Sequence, residues 1–556
     1  MSGIQVRQTF QIGSYERAVG NRVETWRDQD FIRRFWAKDP ILWFPKKESE
    51  IVDRMGWLHL PEMMCEKLDD LISFARDIKT EGKIHVVLLG MGGSSLAPEV
   101  FQKTFGNAPG YPELMVLDST HPDAVRSLEQ RLDISKTLFL VSSKSGTTLE
   151  TLSLFRYFWK QIGKASARPG QHFVAITDPD SPLDKIARER AFRSVFQAPS
   201  DVGGRYSAFT VFGLIPAALI GTDVHSLLDR GWRAAENSAF CVDPENASGF
   251  LLGAALGIMA EERDKLTILT SPSLNSFPDW LEQLIAESTG KSGKGLIPVA
   301  NEPRTAAEEY SQDRVFVGLF QDGEDNQELE GFMERLRALE HPVIRIRLVD
   351  AYDLGQEIFR WEVAIASAGA ILGIHPFNQP DVQLAKDLAE KAVRERSSGE
   401  KEYTREEGVN VTDRVKLEES LKTWIGQAQK GDYLGLQAYL SPSPSTTEAL
   451  QSIRHALLKK TRLATTLGYG PRFLHSTGQL HKGGPNSGLF LQLIDEPEKD
   501  LAVPESDFTF GTLIQAQALG DLGALRQRGR RVIRVNLKQD VPMSLRLIEE
   551  AIQALH

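Results

Sequence analysis

Short apolar runs alternate with amphipathic stretches along most of this chain, and that rhythm predicts an α/β protein. A helical pattern over residues 61–82 leads into an apolar run at 84–89. Further β-rich runs follow at 114–119 (LMVLDS), 137–143 (TLFLVSS) and 172–178 (HFVAITD), each separated by a helical stretch. Strand-like runs spaced by helices imply a parallel sheet covered on both faces. This unit closes with FRSVFQAP and an apolar helix, TVFGLIPAALIG. A second unit repeats the rhythm. LTILTS (266–271), RVFVGLF (314–320) and PVIRIRLV (342–349) read as strands, with helices such as DWLEQLIAES and GQEIFRWEVAIASAGAILG between them.

The ends of the chain read differently. Residues 1–60 mix many charges with apolar positions at helical spacing, and predict a helical extension packed on the first unit. Residues 391–416 are strongly charged and poor in apolar side chains, which marks a boundary or an exposed excursion. Beyond them DYLGLQAYL, GLFLQLI and RVIRVNL are strand candidates, and SPSPSTTEAL is a turn that starts a helix. A chain of 556 residues exceeds the ~250–300 that one core organises, so several domains are expected. The division is 1–60 helical extension, 61–235 first α/β domain, 236–416 second α/β domain and 417–556 C-terminal α/β unit.

Composition narrows the function. A net charge of −10 argues against a nucleic-acid partner held by a basic surface, so an anionic ligand would need a local site. Cys65 and Cys241 are the two cysteines and lie far apart in sequence, which indicates neither a disulfide framework nor a zinc site and suits a reducing cytoplasm. The N-terminal residues carry charges where a signal peptide needs an apolar run, and no apolar stretch reaches the ~18 residues of a membrane span.

Two turns could hold an anion. Gly90-Met91-Gly92-Gly93-Ser94-Ser95 joins a predicted strand to a helix, and glycines there allow a sharp turn and close approach to a ligand. A bare turn and a dinucleotide site fit as well, and Asp118 at the end of the next strand would suit a ribose. However, Ser95 stands where the third glycine of GxGxxG belongs. The second turn, Ser143-Lys144-Ser145-Gly146-Thr147-Thr148-Leu149-Glu150-Thr151, crowds hydroxyl residues at the mouth of a helix. Such a cradle of hydroxyl and backbone donors suits a phosphate dianion better than a simple ST-rich cap. It lacks the GxxxxGK[ST] spacing of a Walker loop.

Both turns resemble the sugar isomerase (SIS) domain of the phosphoglucose isomerase family, GMGGSS its GIGGS turn and SSKSGTTLET its SKTFTTxET loop. The resemblance implies an α/β fold of two SIS-type parallel-sheet sandwiches plus the C-terminal α/β unit. It also implies that Ser143, Ser145, Thr148 and Thr151, with Lys144 among them, bind the substrate phosphate, and that Gly93 and Ser94 lie near the sugar. Ser145-Gly146 departs from the family's Thr-Phe but keeps the hydroxyl.

Aldose–ketose isomerisation needs a base beside C1 and C2, positive charge near the developing oxyanion and an acid–base pair to open the ring. Trp280 to Lys291 contains Glu287-Ser288-Thr289-Gly290-Lys291, similar to the family's ESxGK. The resemblance makes Glu287 the base, with Gln283 on the same helical face. Gly203-Gly204-Arg205-Tyr206-Ser207 is similar to GGRxS and makes Arg205 the electrophile. Pro376-Phe377-Asn378-Gln379-Pro380-Asp381 to Lys386 is similar to PFDQPGVExxK, placing Gln379 and Lys386 at the substrate, although Asp381 replaces a glycine and Gln383 a glutamate. The family's LHSxGQ segment follows ESxGK, whereas here Leu474-His475-Ser476-Thr477-Gly478-Gln479 comes after Lys386. His475 is the candidate ring opener, from this unit or a neighbouring subunit, and His375 is the local alternative. The 468–494 segment looks like the isomerase half of transaldolase/phosphoglucose-isomerase fusion proteins. His475 and His481 lack the further ligand a metal site needs.

The expected function is therefore a cofactor-free, metal-free isomerase of glucose 6-phosphate and fructose 6-phosphate in the cytoplasm, with a small-molecule sugar phosphate as partner, no nucleic acid or membrane, and room for a homodimer. A non-catalytic SIS-type sensor is the alternative; it would keep the hydroxyl loop yet need none of Glu287, Arg205 and Lys386. A nucleotide-dependent oxidoreductase is a third reading.

Overall fold

The computed structural model describes residues 7–44, 49–397, 408–497, 499–538 and 540–555. Their strands form three five-stranded sheets. The first has the spatial order Glu113–Leu117, His85–Gly90, Thr137–Ser142, Phe173–Thr177, Ser194–Gln197, all parallel. The second runs Arg7–Gln11, Val343–Leu348, Arg314–Gln321, Lys265–Thr270, Ile297–Val299, and only the pairing of Arg7–Gln11 is antiparallel. The third runs Val409–Asn410, Arg531–Asn536, Gly488–Ile494, Tyr433–Tyr439, Ala464–Tyr469, all parallel.

The central strands are buried on both faces, which is why they read as continuous apolar runs. Successive side chains still divide between cores. Val86, Leu88, Leu138 and Leu140 join one large core with Leu266, Ile268, Val317 and Ile346 of the second sheet. Val87, Leu89, Phe139 and Val141 face the opposite way, into a core of their own. The third sheet builds a core of its own around Leu434, Leu436, Leu489 and Leu491, while its Tyr433, Ala464 and Phe490 cluster with Ile297 and Val299 of the second.

Two expectations change. Residues 1–60 are not only helical and do not pack only on the first sheet. Arg7–Gln11, a short segment of mixed polarity, adds an edge strand to the second sheet. The helices after it place Trp26, Phe31 and Phe35 around Phe250, on the helix Ser248–Met259. The charged stretch 391–416 is not simply an excursion. Residues 391–397 finish the helix Gln383–Ser397, and Val409–Asn410 forms a strand; 398–407 lie outside the described residues.

The third sheet is docked by polar contacts on both others. Arg454 donates to the carbonyl of Asn301 at 2.9 Å, and Glu302 accepts from the Thr465 N–H at 2.7 Å. On the first sheet's side, His121 lies 2.9 Å from Asp495 and Thr120 donates to Gln517 at 2.9 Å. Two further devices fix helices near the site. Gly520 lets the helix Phe510–Gln527 approach Gln383–Ser397, because a Cβ there would lie 2.7 Å from the Ala385 carbonyl. Gly253 allows the same against Leu354–Leu372, where a Cβ would meet Ser367 Oγ at 2.1 Å.

Leu354–Leu372 is buried along nearly its whole length and carries Glu362, whose two carboxylate oxygens have no hydrogen-bond partner. Burial drives its pKa well above the ordinary glutamate value of 4.5. A carboxyl that holds its proton more tightly folded than unfolded stabilises the fold at low pH and loses that contribution as pH rises. Thermal unfolding followed by circular dichroism should therefore show Glu362→Gln with a higher Tm than the parent at about pH 8, the difference closing as pH falls toward the unfolded carboxyl range.

Candidate active site

The site forms where the C-terminal ends of the first sheet's strands meet the helix Phe277–Thr289 and the third unit. After the strand His85–Gly90 the chain turns at Gly92, with φ +54°. A side chain there would collide with this site's most important neighbour, since a Cβ would lie 2.5 Å from the His475 carbonyl oxygen and 3.0 Å from Gln283 Nε2. Gly93 is constrained too, as its Cβ would lie 2.1 Å from the Gly204 carbonyl oxygen. The glycine turn thus seats both the Arg205 turn and the His475 segment, and Ser207 Oγ donates to the Gly93 carbonyl at 3.3 Å.

Arg205 is 2% exposed and every donor direction is assigned. Its Nε donates to Ser288 Oγ at 2.9 Å, Nη1 to Gln379 Oε1 at 3.0 Å, and Nη2 to the carbonyls of Pro376 and Asn378 at 2.8 and 3.0 Å. Nη1 also stands 3.3 Å from Glu287 Oε1. The other Glu287 oxygen accepts from Gln283 Nε2 at 3.1 Å, and the same amide donates to the His475 carbonyl at 2.8 Å. Gln283 and Glu287 project together because they are one helical turn apart. Lys291 is turned inward and donates to the carbonyls of Ser288 and His375 at 3.0 and 2.5 Å. Burial, and then the Arg205 charge, push its amine well below the ordinary lysine value.

His475 Nε2 lies 2.9 Å from Glu150 Oε1. Glu150 is in the first turn of Leu149–Ala165, the helix that the hydroxyl loop opens. Burial opposes its charge, but His475 and then the Lys386 charge outweigh it and hold the carboxyl below the ordinary glutamate value. A carboxylate accepts only, so the proton in this contact sits on Nε2 and leaves Nδ1 of the neutral ring free. Lys386 itself is exposed on Gln383–Ser397. His375 is less suited to proton transfer. Burial, then Lys291 and Arg205, push it down to about 4, and its Nδ1 accepts from the Phe377 N–H at 3.1 Å.

The hydroxyl loop runs from the end of Thr137–Ser142 to Leu149. Gly146 has φ +68°, and a Cβ there would lie 2.7 Å from the Leu183 N, so this path requires glycine. Ser143 Oγ lies 2.9 Å from Thr148 Oγ1, and Ser145 Oγ 2.9 Å from Thr147 Oγ1. Thr148 holds the N-cap position yet makes no capping hydrogen bond. The first N–H groups of the helix are thereby left for a ligand, which the helix dipole would favour if it is an anion. Thr151 Oγ1 is buried without a protein partner. Lys144 is engaged by Asp178 at 2.6 Å and by the Ser200 carbonyl at 3.3 Å.

The family model of phosphoglucose isomerase matches residues 63–300. Glucose-6-phosphate isomerase of Carboxydothermus hydrogenoformans is 28% identical over 401 residues, 61% of this chain and 85% of that protein. The enzyme of the same name from Campylobacter jejuni is 26% identical over 60% of this chain and 90% of its own length. Over residues 63–300 this chain is similar to the phosphoglucose isomerase family. Among solved structures, a glucose-6-phosphate isomerase from Chlamydia trachomatis shares the fold with TM-score 0.59 at 18% identity, over 70% of this chain and 88% of that one.

The matched region holds the family's glycine turn, hydroxyl loop, Arg205 and Glu287, but Lys386 and His475 lie beyond it. The departures from the family pattern have local reasons. Asp381, in place of a glycine, uses its N–H and Oδ2 to bind Gln479 at 2.9 and 2.8 Å, and its Oδ1 lies 2.6 Å from Arg528. Gly483 leaves room for that carboxylate, since a Cβ would lie 2.2 Å from Asp381 Oδ2. Gln383, by contrast, is exposed and bonds Asp387 at 2.7 Å. Asp118 accepts from Ser95 Oγ at 3.2 Å and stands 3.3 Å from Arg472. Glu150, at the second position of its helix, reads in the sequence as a surface glutamate, and only the contact with His475 marks it as part of the site. Among the described residues no group of three potential metal ligands converges, and no helix is long and apolar enough to cross a membrane.

Gly92→Ala tests this geometry. The strained φ and the clash with His475 should lower kcat/KM by about two orders of magnitude, the scale of a roughly 1 Å misplacement, with the circular dichroism spectrum retained.

Proposed function

We propose that this chain interconverts glucose 6-phosphate and fructose 6-phosphate, with Glu287 as the proton shuttle and His475 as the ring opener. The reading rests on one observation above the rest: a carboxylate, Glu287, held 3.3 Å from a buried guanidinium and fixed by a glutamine, in a chain similar to glucose-6-phosphate isomerases.

The phosphate is anchored by the loop at 143–151 and the open N-terminus of its helix. His475, its Nε2 proton held by Glu150, uses Nδ1 to take the proton of the anomeric hydroxyl and to deliver it to the ring oxygen as the ring C–O bond breaks and the carbonyl forms, which opens the hemiacetal. In the open aldose, Glu287 removes the proton from C2. The electron pair of that C–H bond forms the C1–C2 double bond, and the C1 oxygen takes the charge and a proton. Arg205 stabilises this enediolate, at a position where positive charge is worth most because water is excluded. Loss of the O2 proton and return of the C2 proton to C1 gives the ketose. C1 is reduced as C2 is oxidised, so the electrons balance within the sugar. Gln379 and Lys386 border the same space, and Lys386 adds positive charge on the side of Glu150.

The joint arrangement of Glu287, Arg205 and His475 favours catalysis over passive sensing, which needs only the phosphate anchor. The cysteines are free and exposed, consistent with a cytoplasmic setting.

Purified protein incubated with fructose 6-phosphate, with no cofactor added, should form glucose 6-phosphate; no conversion would refute the assignment. Glu287→Gln should lower the exchange of the C2 hydrogen with deuterated solvent by at least about three orders of magnitude while sugar-phosphate binding by calorimetry changes little. Retained exchange would remove Glu287 from the mechanism. His475→Ala should harm turnover of the cyclic sugar more than that of an open-chain analogue.

A further inference from the structure

We infer that Gln517, from the C-terminal helix Phe510–Gln527, is a positioning residue for the ring-opening pair. The inference rests on the isomerase reading above and extends it to a part of the chain that carries none of the motifs. Gln517 Nε2 donates to Glu150 Oε1 at 2.7 Å, the same oxygen that His475 Nε2 approaches at 2.9 Å. Its Oε1 accepts from Thr120 Oγ1 at 2.9 Å. All of this is buried: Gln517 is 4% exposed, Glu150 7% and Thr120 0%.

The chemistry fixes the direction of the chain of bonds. A carboxylate cannot donate, so the amide must turn its N–H₂ to Glu150 and its oxygen to the Thr120 hydroxyl. One Glu150 oxygen thus receives two donors. The first orients the His475 ring. The second holds the carboxylate ionised and fixed while His475 gains and loses a proton at Nδ1. Without Gln517 the buried Glu150 keeps one donor fewer, its charge is costlier, and its grip on the imidazole loosens.

Four neighbouring elements face Glu150. They bring His475, Gln517, Lys386 on Gln383–Ser397, and Tyr439 on Tyr433–Tyr439. Burial keeps the Tyr439 phenol protonated far above neutrality, so it brings no competing charge. Gln517 therefore supplies the neutral donor that supports Glu150 without adding a charge beside His475.

The test compares two substrates. Fructose 6-phosphate must be opened, whereas 5-deoxyfructose 6-phosphate has no hydroxyl with which to close a ring. Gln517→Leu should lower kcat on fructose 6-phosphate by about tenfold to a hundredfold, the weight of a hydrogen bond to a charged group, and change the deoxy sugar by less than about twofold. Gln517→Glu gives a second readout. At low pH the introduced carboxyl is protonated and can donate as the amide did. As pH rises it loses that proton and faces Glu150 as a like charge, so the rate on fructose 6-phosphate should fall with pH relative to the parent, while the deoxy sugar shows no such fall. Equal losses on both substrates, or a Gln517→Glu profile parallel to the parent's, would overturn the inference. A parent enzyme inactive on both sugars would instead overturn the isomerase reading itself.

Discussion

The Gln283 amide bridges the two halves of the site. One of its hydrogens goes to the Glu287 carboxylate and the other to the His475 carbonyl, above a glycine that leaves no room for a side chain. Glu287 and His475, the proposed base and ring opener, come from segments nearly two hundred residues apart, and this one side chain sets their separation. Arg205, Glu150 and the hydroxyl loop are arranged around that fixed pair. A shift of the third unit would move His475 off Gly92 and Glu150 at once.

The electrostatics follow from burial. The chain is acidic overall, yet positive charge is concentrated where an anion would sit. Arg205 is buried with five acceptors around its guanidinium. Lys291, equally buried but given only carbonyls, has its amine pushed down and serves to tie the 375–378 turn to the helix. Glu150 stays ionised through its donors, whereas Glu362, with none, does not. Partners, rather than depth alone, decide which buried groups remain ionic.

Much of this was legible in the sequence, for identifiable reasons. Strands buried on both faces stand out as apolar runs, and turns that need glycine stand out as glycines. Gln283 and Glu287 share a face by spacing alone. What escaped was set by tertiary contact. Arg7–Gln11 is too short and polar to read as a strand, and gains its identity from pairing with Val343–Leu348. Ile297–Val299 is only three residues long, and Ala464–Tyr469 is interrupted by two threonines and a glycine. Residues 391–397 look like an excursion because the sequence there is rich in charge, while Ala392 and Val393 of the same helix pack with Leu513 and Ala516 of Phe510–Gln527. Asp381 reads in the sequence only as a replacement of the family's glycine; in the fold it binds Gln479 and Arg528. Nothing local marks Glu150 or Gln517, since each acquires meaning only from the partner folded against it.

The rearranged order of the motifs finds its physical explanation in the third sheet. It carries the LHSTGQ segment back over the first sheet, and His121–Asp495 and Thr120–Gln517 lock it there. Glu287 and the His475 carbonyl of the same chain are thus joined through Gln283. Complementation measures this directly. Glu287→Gln and His475→Ala proteins, each inactive on fructose 6-phosphate, would be unfolded and refolded together and assayed. A site built within one chain predicts no recovery of activity in the mixture. Recovery toward about a quarter of the parent rate would show that two chains share each site, and would contradict the account.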